Sequence, residues 1–195
     1  MSIDEDLENW LSNFPAEFSY ATFYDFESPE EVFLGCYHVY PDMKVAIVCN
    51  YYRSLRILTN EATIDALNSR GSVSPNDSQR LAAEQMLKKL TADICASVPP
   101  FLGYQNCQKS ASVVVGTLLL WPLYTCAAQN YVSPMTRNWV ILQFEKIGET
   151  MGIRLATSLA EVLRAKGEVT VWDRTEAAKG QDVYRQVAWD NLEEW

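Results

Sequence analysis

The chain has 195 residues, 48% hydrophobic and 21% charged. That composition excludes a disordered chain and lets roughly 70% of the unfolded surface be buried without disulfides or a structural metal. Sixteen Lys and Arg against 25 Asp and Glu leave a net charge of −9, a balance that repels phosphate backbones, so no nucleic-acid partner is expected.

Residues 1–12 predict a short helix that Asn13-Phe14-Pro15 breaks. Between Phe14 and Pro41, nine aromatic residues follow one another at irregular spacing, punctuated by Pro29 and Gly35. They predict an extended arm laid over a helical body, with a short strand at Val32–Val39. Asp42 is placed to cap a helix running to about Asn68, whose expected inward stripe is Val45, Val48, Tyr52, Leu55, Leu58, Ala62 and Ala66. Ser69 to Ser78 has turn composition. A second long helix, about 77–98, turns Ala83, Leu87, Leu90, Ile94 and Val98 inward, and Pro99-Pro100 should end it. A third spans about 110–130 with a kink at Pro122, and a fourth about 134–166, opened by Ser133-Pro134. Gly148 and Gly152 lie four apart on that last helix, where a neighbouring helix could approach closely. Val169 to Trp172 reads as a short extended piece, and a polar helix from about Asp173 closes the chain.

The expected class is all-α: one domain over 1–195 with four to six helices. Its parts are an aromatic arm (1–41), a helical body (42–166) and a C-terminal extension (167–195). Five cysteines, Cys36, Cys49, Cys95, Cys107 and Cys126, are odd in number and lack a C-x-x-C pair. They predict buried thiols in a reducing compartment, cytoplasm or nucleus. The acidic start predicts no secretory leader. Lys109 to Arg137 encloses a charge-free stretch, but its apolar run falls short of the ~20 residues a membrane span needs and holds Gly116 and Pro122. A buried helix is expected there, with no membrane partner.

Several segments, in order, carry a family pattern: Tyr40-Pro41-Asp42, Asn50 to Leu58 (NYYRSLRIL), Asp93 to Pro99 (DICASVP), Leu118 to Leu123 (LLLWPL) and Ile147 to Ile153 (IGETMGI). Together they resemble the C-terminal part of the helical regulatory domain of fungal Zn2Cys6 zinc-cluster transcription factors, over most of residues 7–166. The six-cysteine DNA-binding cluster has no counterpart here, so DNA recognition does not carry over. The resemblance implies a helical body that senses metabolites or contacts partner proteins, and a stand-alone copy suggests a role in specialised metabolism.

The chemical inventory is thin. There is no nucleotide, hydrolase-triad or zinc motif, and neither cofactor nor metal is expected. The single histidine, His38, shares a strand face with Cys36, which makes a thiol–imidazole pair conceivable; a partly exposed histidine in the arm is the plainer expectation. Arg53, Arg56 and Asn60 follow at helical spacing beside the apolar stripe, and Asp93 and Ser97 sit beside Leu90 and Ile94. Charges bordering a core need partners, so an Arg–Asp bridge between helices is expected. The sharper alternative makes Arg53, Arg56 and Asp93 the polar groups of a ligand site. Trp121, Tyr124, Tyr131 and Trp139 cluster along the sequence around Pro122, where a kink could open an apolar pocket lined by Trp121, Tyr124 and Trp139 with Arg53 or Arg56 as its polar anchor.

Three functions stay open. One is a protein that binds an apolar small molecule. Another is a cofactor-free cyclase or isomerase, such as a Diels–Alderase acting on a polyketide or terpenoid, in which confinement and one carbonyl-polarising donor lower the barrier. The third is an interaction module for a full-length zinc-cluster factor or for a second copy of the chain.

Overall fold

The computed structural model describes residues 3–69, 78–106 and 113–172, with backbone alone for 167–172. Among the described residues there are six α-helices: α1 (Ile3–Ser12), α2 (Met43–Ser69), α3 (Ser78–Phe101), α4 (Val113–Ala128), α5 (Pro134–Met151) and α6 (Arg154–Trp172). Two short strands, β1 (Ala21–Tyr24) and β2 (Cys36–Val39), pair antiparallel with Thr22 opposite His38. The fold is all-α. The turn-composed segment around Gly71, the first residues of the helix expected at 110–130, Cys107 and the chain beyond Trp172 lie outside the described residues.

Local chemistry sets most boundaries. The Asp42 carboxylate accepts the Lys44 N–H at 2.8 Å and caps α2. Ser133 Oγ accepts the Thr136 N–H at 3.1 Å, with Pro134 as the first helical residue of α5. Three expectations are corrected. Pro99-Pro100 does not end α3, which runs on to Phe101 because the Leu102 and Gly103 N–H groups close the last turn on Val98, Pro99 and Pro100 carbonyls. The helix expected over 134–166 is two helices, since Gly152 takes the left-handed conformation (φ 68°) that terminates α5. Val169–Trp172 is the end of α6 instead of an extended piece, since lengthening an existing helix adds a hydrogen bond for each residue fixed. In the arm, the strand expected from Val32 begins only at Cys36, because Leu34 and Gly35 both take positive φ in a tight turn.

The tight reversal at Gly152 folds α6 back along α5. A side chain at Gly148 would collide with Thr157 Oγ1, so the close approach read into this glycine is real, whereas Gly152 serves as a cap. Leu87, Leu90, Ile94, Leu119, Leu123, Phe144, Ile147 and Leu163 lie in the central core. Residues 29–31 are clamped to α5: Trp139 Nε1 donates to the Pro29 carbonyl at 3.2 Å, Gln143 Nε2 to that of Glu30 at 2.8 Å, and Lys146 pairs with Glu31. At the far end of α2, Tyr131 donates to Asp65 at 3.1 Å and the Asn130 N–H to Glu61 at 3.0 Å.

Helix α2 departs most from expectation. Its buried face is Ala46, Cys49, Asn50, Tyr52, Arg53, Ser54, Arg56, Ile57, Asn60, Ile64 and Leu67; of the expected inward stripe Tyr52 is buried, while Val48, Leu55 and Leu58 face outward, 45%, 52% and 43% exposed. Full burial of a leucine contributes roughly 1.5–3 kcal/mol relative to exposure. A helix that forgoes this and turns two arginines and two asparagines inward breaks the usual pattern. Such breaks concentrate where function overrides packing.

Candidate functional site

The inward polar face of α2 forms one wall of a cavity of about 380 Å³, a volume within the ~300–1,000 Å³ range of small-molecule sites. From α2 come Cys49, Tyr52, Arg53 and Arg56; from α3, Met86, Lys89, Leu90 and Asp93; from the end of α1 and the arm, Leu11, Phe14, Phe18 and Tyr20. The arm closes the space with a chain of tilted ring contacts: Trp10 lies 5.2 Å from Phe14 and 5.5 Å from Tyr52, and Phe14 lies 5.4 Å from Phe18. The cavity is thus apolar on the arm side and polar toward the α2–α3 seam.

Arg53 sits at that seam, 5% exposed. Its guanidinium lies beside a pair of tyrosines, 5.6 Å from the Tyr20 ring and 5.8 Å from the Tyr40 ring, which are themselves 5.1 Å apart. Nη1 donates to Asn50 Oδ1 at 2.9 Å. Asn50 Nδ2 donates in turn to Ser97 Oγ at 2.8 Å, and Ser97 donates to the Ile94 carbonyl at 2.7 Å. A polar relay therefore crosses from α2 to α3 and fixes the arginine. Asp93 Oδ2 stands 3.9 Å from Arg53 Nε, at the outer edge of an ion pair. Burial pushes the Asp93 carboxyl above its ordinary value, although Arg53 and Lys89 both pull it down. The expected Arg–Asp bridge between helices exists, but it is long.

Arg56 has a different partner. Nε donates to Asp4 Oδ1 at 2.7 Å and Nη2 to Asp4 Oδ2 at 2.6 Å, while Nη1 donates to the Tyr52 hydroxyl at 3.1 Å. Asn60 Nδ2 donates to Asp4 Oδ1 at 2.9 Å, and Glu8 stands 3.8 Å from Nη1. This arginine spends its charge on α1.

His38 is buried, 5% exposed, where a partly exposed histidine was expected. It stacks on Tyr20 at 4.0 Å. Burial, with the Arg53 charge adding to it, holds its pKa down at about 4. Burial meanwhile raises the Cys36 thiol, so an imidazolium–thiolate pair is disfavoured from both sides.

The structure brings Arg53, Arg56 and Asp93 to one cavity and places Trp121, Tyr124 and Trp139 elsewhere. α4 is helical through a buried Pro122, with Trp121 45% exposed on its outer side. Tyr124 packs half-buried against the core, and Trp139 lies in the core, 5.2 Å from Phe33. No family model, curated protein or solved structure matches the chain. The sequence reading missed Asn50, Tyr20, Tyr40, Lys89 and Asp4 as parts of the site. Asn50 had a signal, since it precedes Arg53 by one helical turn. The others had none, because spacing does not say which face of the body the arm covers. Among the described residues, no group of three His, Cys, Asp or Glu could hold a metal ion, and no helix is long and apolar enough to cross a membrane.

Proposed function

We propose that the chain is a relative of the zinc-cluster regulatory domain that binds an apolar small molecule and does not itself bind DNA. The observation that carries this reading is the cavity: aromatic arm residues roof a space whose floor is a buried, hydrogen-bonded arginine. Apolar walls with a few fixed polar groups are the common form of a small-molecule site. The acidic balance of the chain supports the absence of DNA binding.

The test is a thermal-shift screen of the purified chain against linear and cyclised polyketides and terpenoids, beside the cavity-filling variant Met86→Trp. A true ligand raises the melting temperature with the logarithm of its concentration, and M86W loses the response. No response across the panel, together with tight capture of a full-length zinc-cluster factor, supports the interaction module instead.

Turnover is the second reading, favoured by Asp93. A carboxyl held above its ordinary value beside a buried guanidinium supplies an acid or base and a carbonyl-polarising donor in one cavity. A cofactor-free cyclase or isomerase would use them on a folded substrate. Mass spectrometry and chiral chromatography of the incubated ligand detect it, and Arg53→Gln should lower kcat by about ten- to several hundred-fold.

A further inference from the structure

The charges around the cavity are unequal. Three cationic residues line it, Arg53, Arg56 and Lys89, against one carboxylate, that of Asp93. Arg56 is committed to Asp4 and Glu8 on α1. Arg53 and Lys89 remain, facing Asp93. Arg53 is buried, its Nη1 hydrogen bond goes to a neutral amide, and among the described residues Asp93 is the one carboxylate within 4 Å, at 3.9 Å. A buried cation so placed favours an added anion, and the fork of a guanidinium accommodates a carboxylate by two hydrogen bonds. On a chain of net charge −9, a pocket carrying excess positive charge is the opposite of its surroundings. The roof above it, Leu11, Phe14 and Phe18, is hydrocarbon and aromatic ring.

We infer that the ligand is an amphipathic acid: a carboxylate seated at Arg53 and Lys89, with its apolar body under the Leu11–Phe14–Phe18 roof. This rests on the small-molecule reading above and names its chemical class. Asp93 faces the same seam. It takes up a proton from solvent when the anion arrives, so the pair it makes with Arg53 at 3.9 Å is the contact the ligand replaces. Tyr20 and Tyr40 pack together beside the guanidinium, their rings 5.1 Å apart.

The experiment compares decanoate with decanol and decyltrimethylammonium as probes, by isothermal titration calorimetry on the purified full chain at constant ionic strength. Decanoate should bind at least tenfold more tightly than decanol, and decyltrimethylammonium more weakly than either. Arg53→Gln should erase the preference for the acid over the alcohol. Because Arg53 is buried and its replacement could unfold the chain, Lys89→Gln provides the second arm: Lys89 is exposed, and K89Q should reduce the preference threefold or more while decanol affinity holds. Equal binding of acid and alcohol overturns the acid assignment and leaves an apolar-ligand site standing. An acid preference that K89Q and R53Q both leave intact places the anion elsewhere and overturns it too. Absence of binding by all three probes, at concentrations below micelle formation, fails both the acid assignment and the small-molecule reading for unbranched chains.

Discussion

Arg56 and Asp4, 52 residues apart, meet through two parallel hydrogen bonds of 2.7 and 2.6 Å. Helix α1 has no buried residue of its own, so this forked pair, the Asn60 and Glu8 contacts and the Trp10–Tyr52 contact help hold it on α2. Removing one partner of a buried pair costs about 3–5 kcal/mol. Asp4 keeps 24% of its side-chain exposure, so Asp4→Asn should cost less, about 1–3 kcal/mol. Hydrogen exchange across residues 3–12 should accelerate together with the loss, because α1 lifts off as a unit. Unchanged exchange in D4N would mean the aromatic contacts suffice alone.

Asp93 behaves oppositely. Its carboxyl is raised by burial more than Arg53 and Lys89 lower it, so the native state prefers the protonated form more than the unfolded chain does. The cost of ionising it is absent below the unfolded value near 3.8 and grows as pH rises through the higher native value. Asp93→Asn should therefore be neutral or slightly stabilising at pH 7. Its advantage over the parent should widen as pH climbs from about 3.5 upward and then level off. Urea titrations across that range measure it, and a strongly destabilised D93N at pH 7 would show the 3.9 Å pair to be worth more than its geometry implies.

His38 sets an acid limit. Its native value of about 4 lies below the ordinary 6.5, so the neutral imidazole is the form that the fold stabilises. That contribution is complete above pH 6.5 and is lost as pH falls from 6.5 toward 4, amounting to at most about 3 kcal/mol. Charging this ring would set it against Arg53. His38→Gln should flatten the stability profile between pH 6.5 and 4 relative to the parent; identical slopes would remove His38 as the source.

The outward residues of α2 make a simpler test. Leu55 and Leu58 are 52% and 43% exposed, so Leu55→Gln and Leu58→Gln should each change stability by about 0.5 kcal/mol or less. Had they faced the core, each would cost several kcal/mol. Chemical denaturation of the two variants separates these outcomes.

Helix α3 was legible because its apolar spacing, Ala83 through Val98, coincides with its buried face. Helix α2 was not, although its existence and ends were. Hydrophobicity assigns the inward face only when packing decides orientation, and here Asn50, Arg53, Arg56 and Asn60 find partners inside that outweigh what Leu55 and Leu58 lose outside. The candidate site was half legible for the same reason. Arg53, Arg56 and Asp93 could be paired from charge beside a core, whereas Trp121, Tyr124 and Trp139 are close in sequence but point to separate places. The Tyr20, Tyr40 and Asp4 contributions depend on how an irregular arm wraps, which periodicity does not encode.

The clamp between residues 29–31 and α5 has a consequence for biosynthesis. Its three contacts join positions 110, 113 and 115 residues apart. Chains grow at about 5–20 residues per second, so the aromatic arm emerges roughly 6–23 seconds before its acceptor on α5 exists. Phe33, buried in the finished protein, spends that interval without its partner Trp139. Synthesis rate and chaperone supply should therefore govern the soluble yield more than the stability of the completed fold does, and slowing translation between Val39 and Trp139 should lower it.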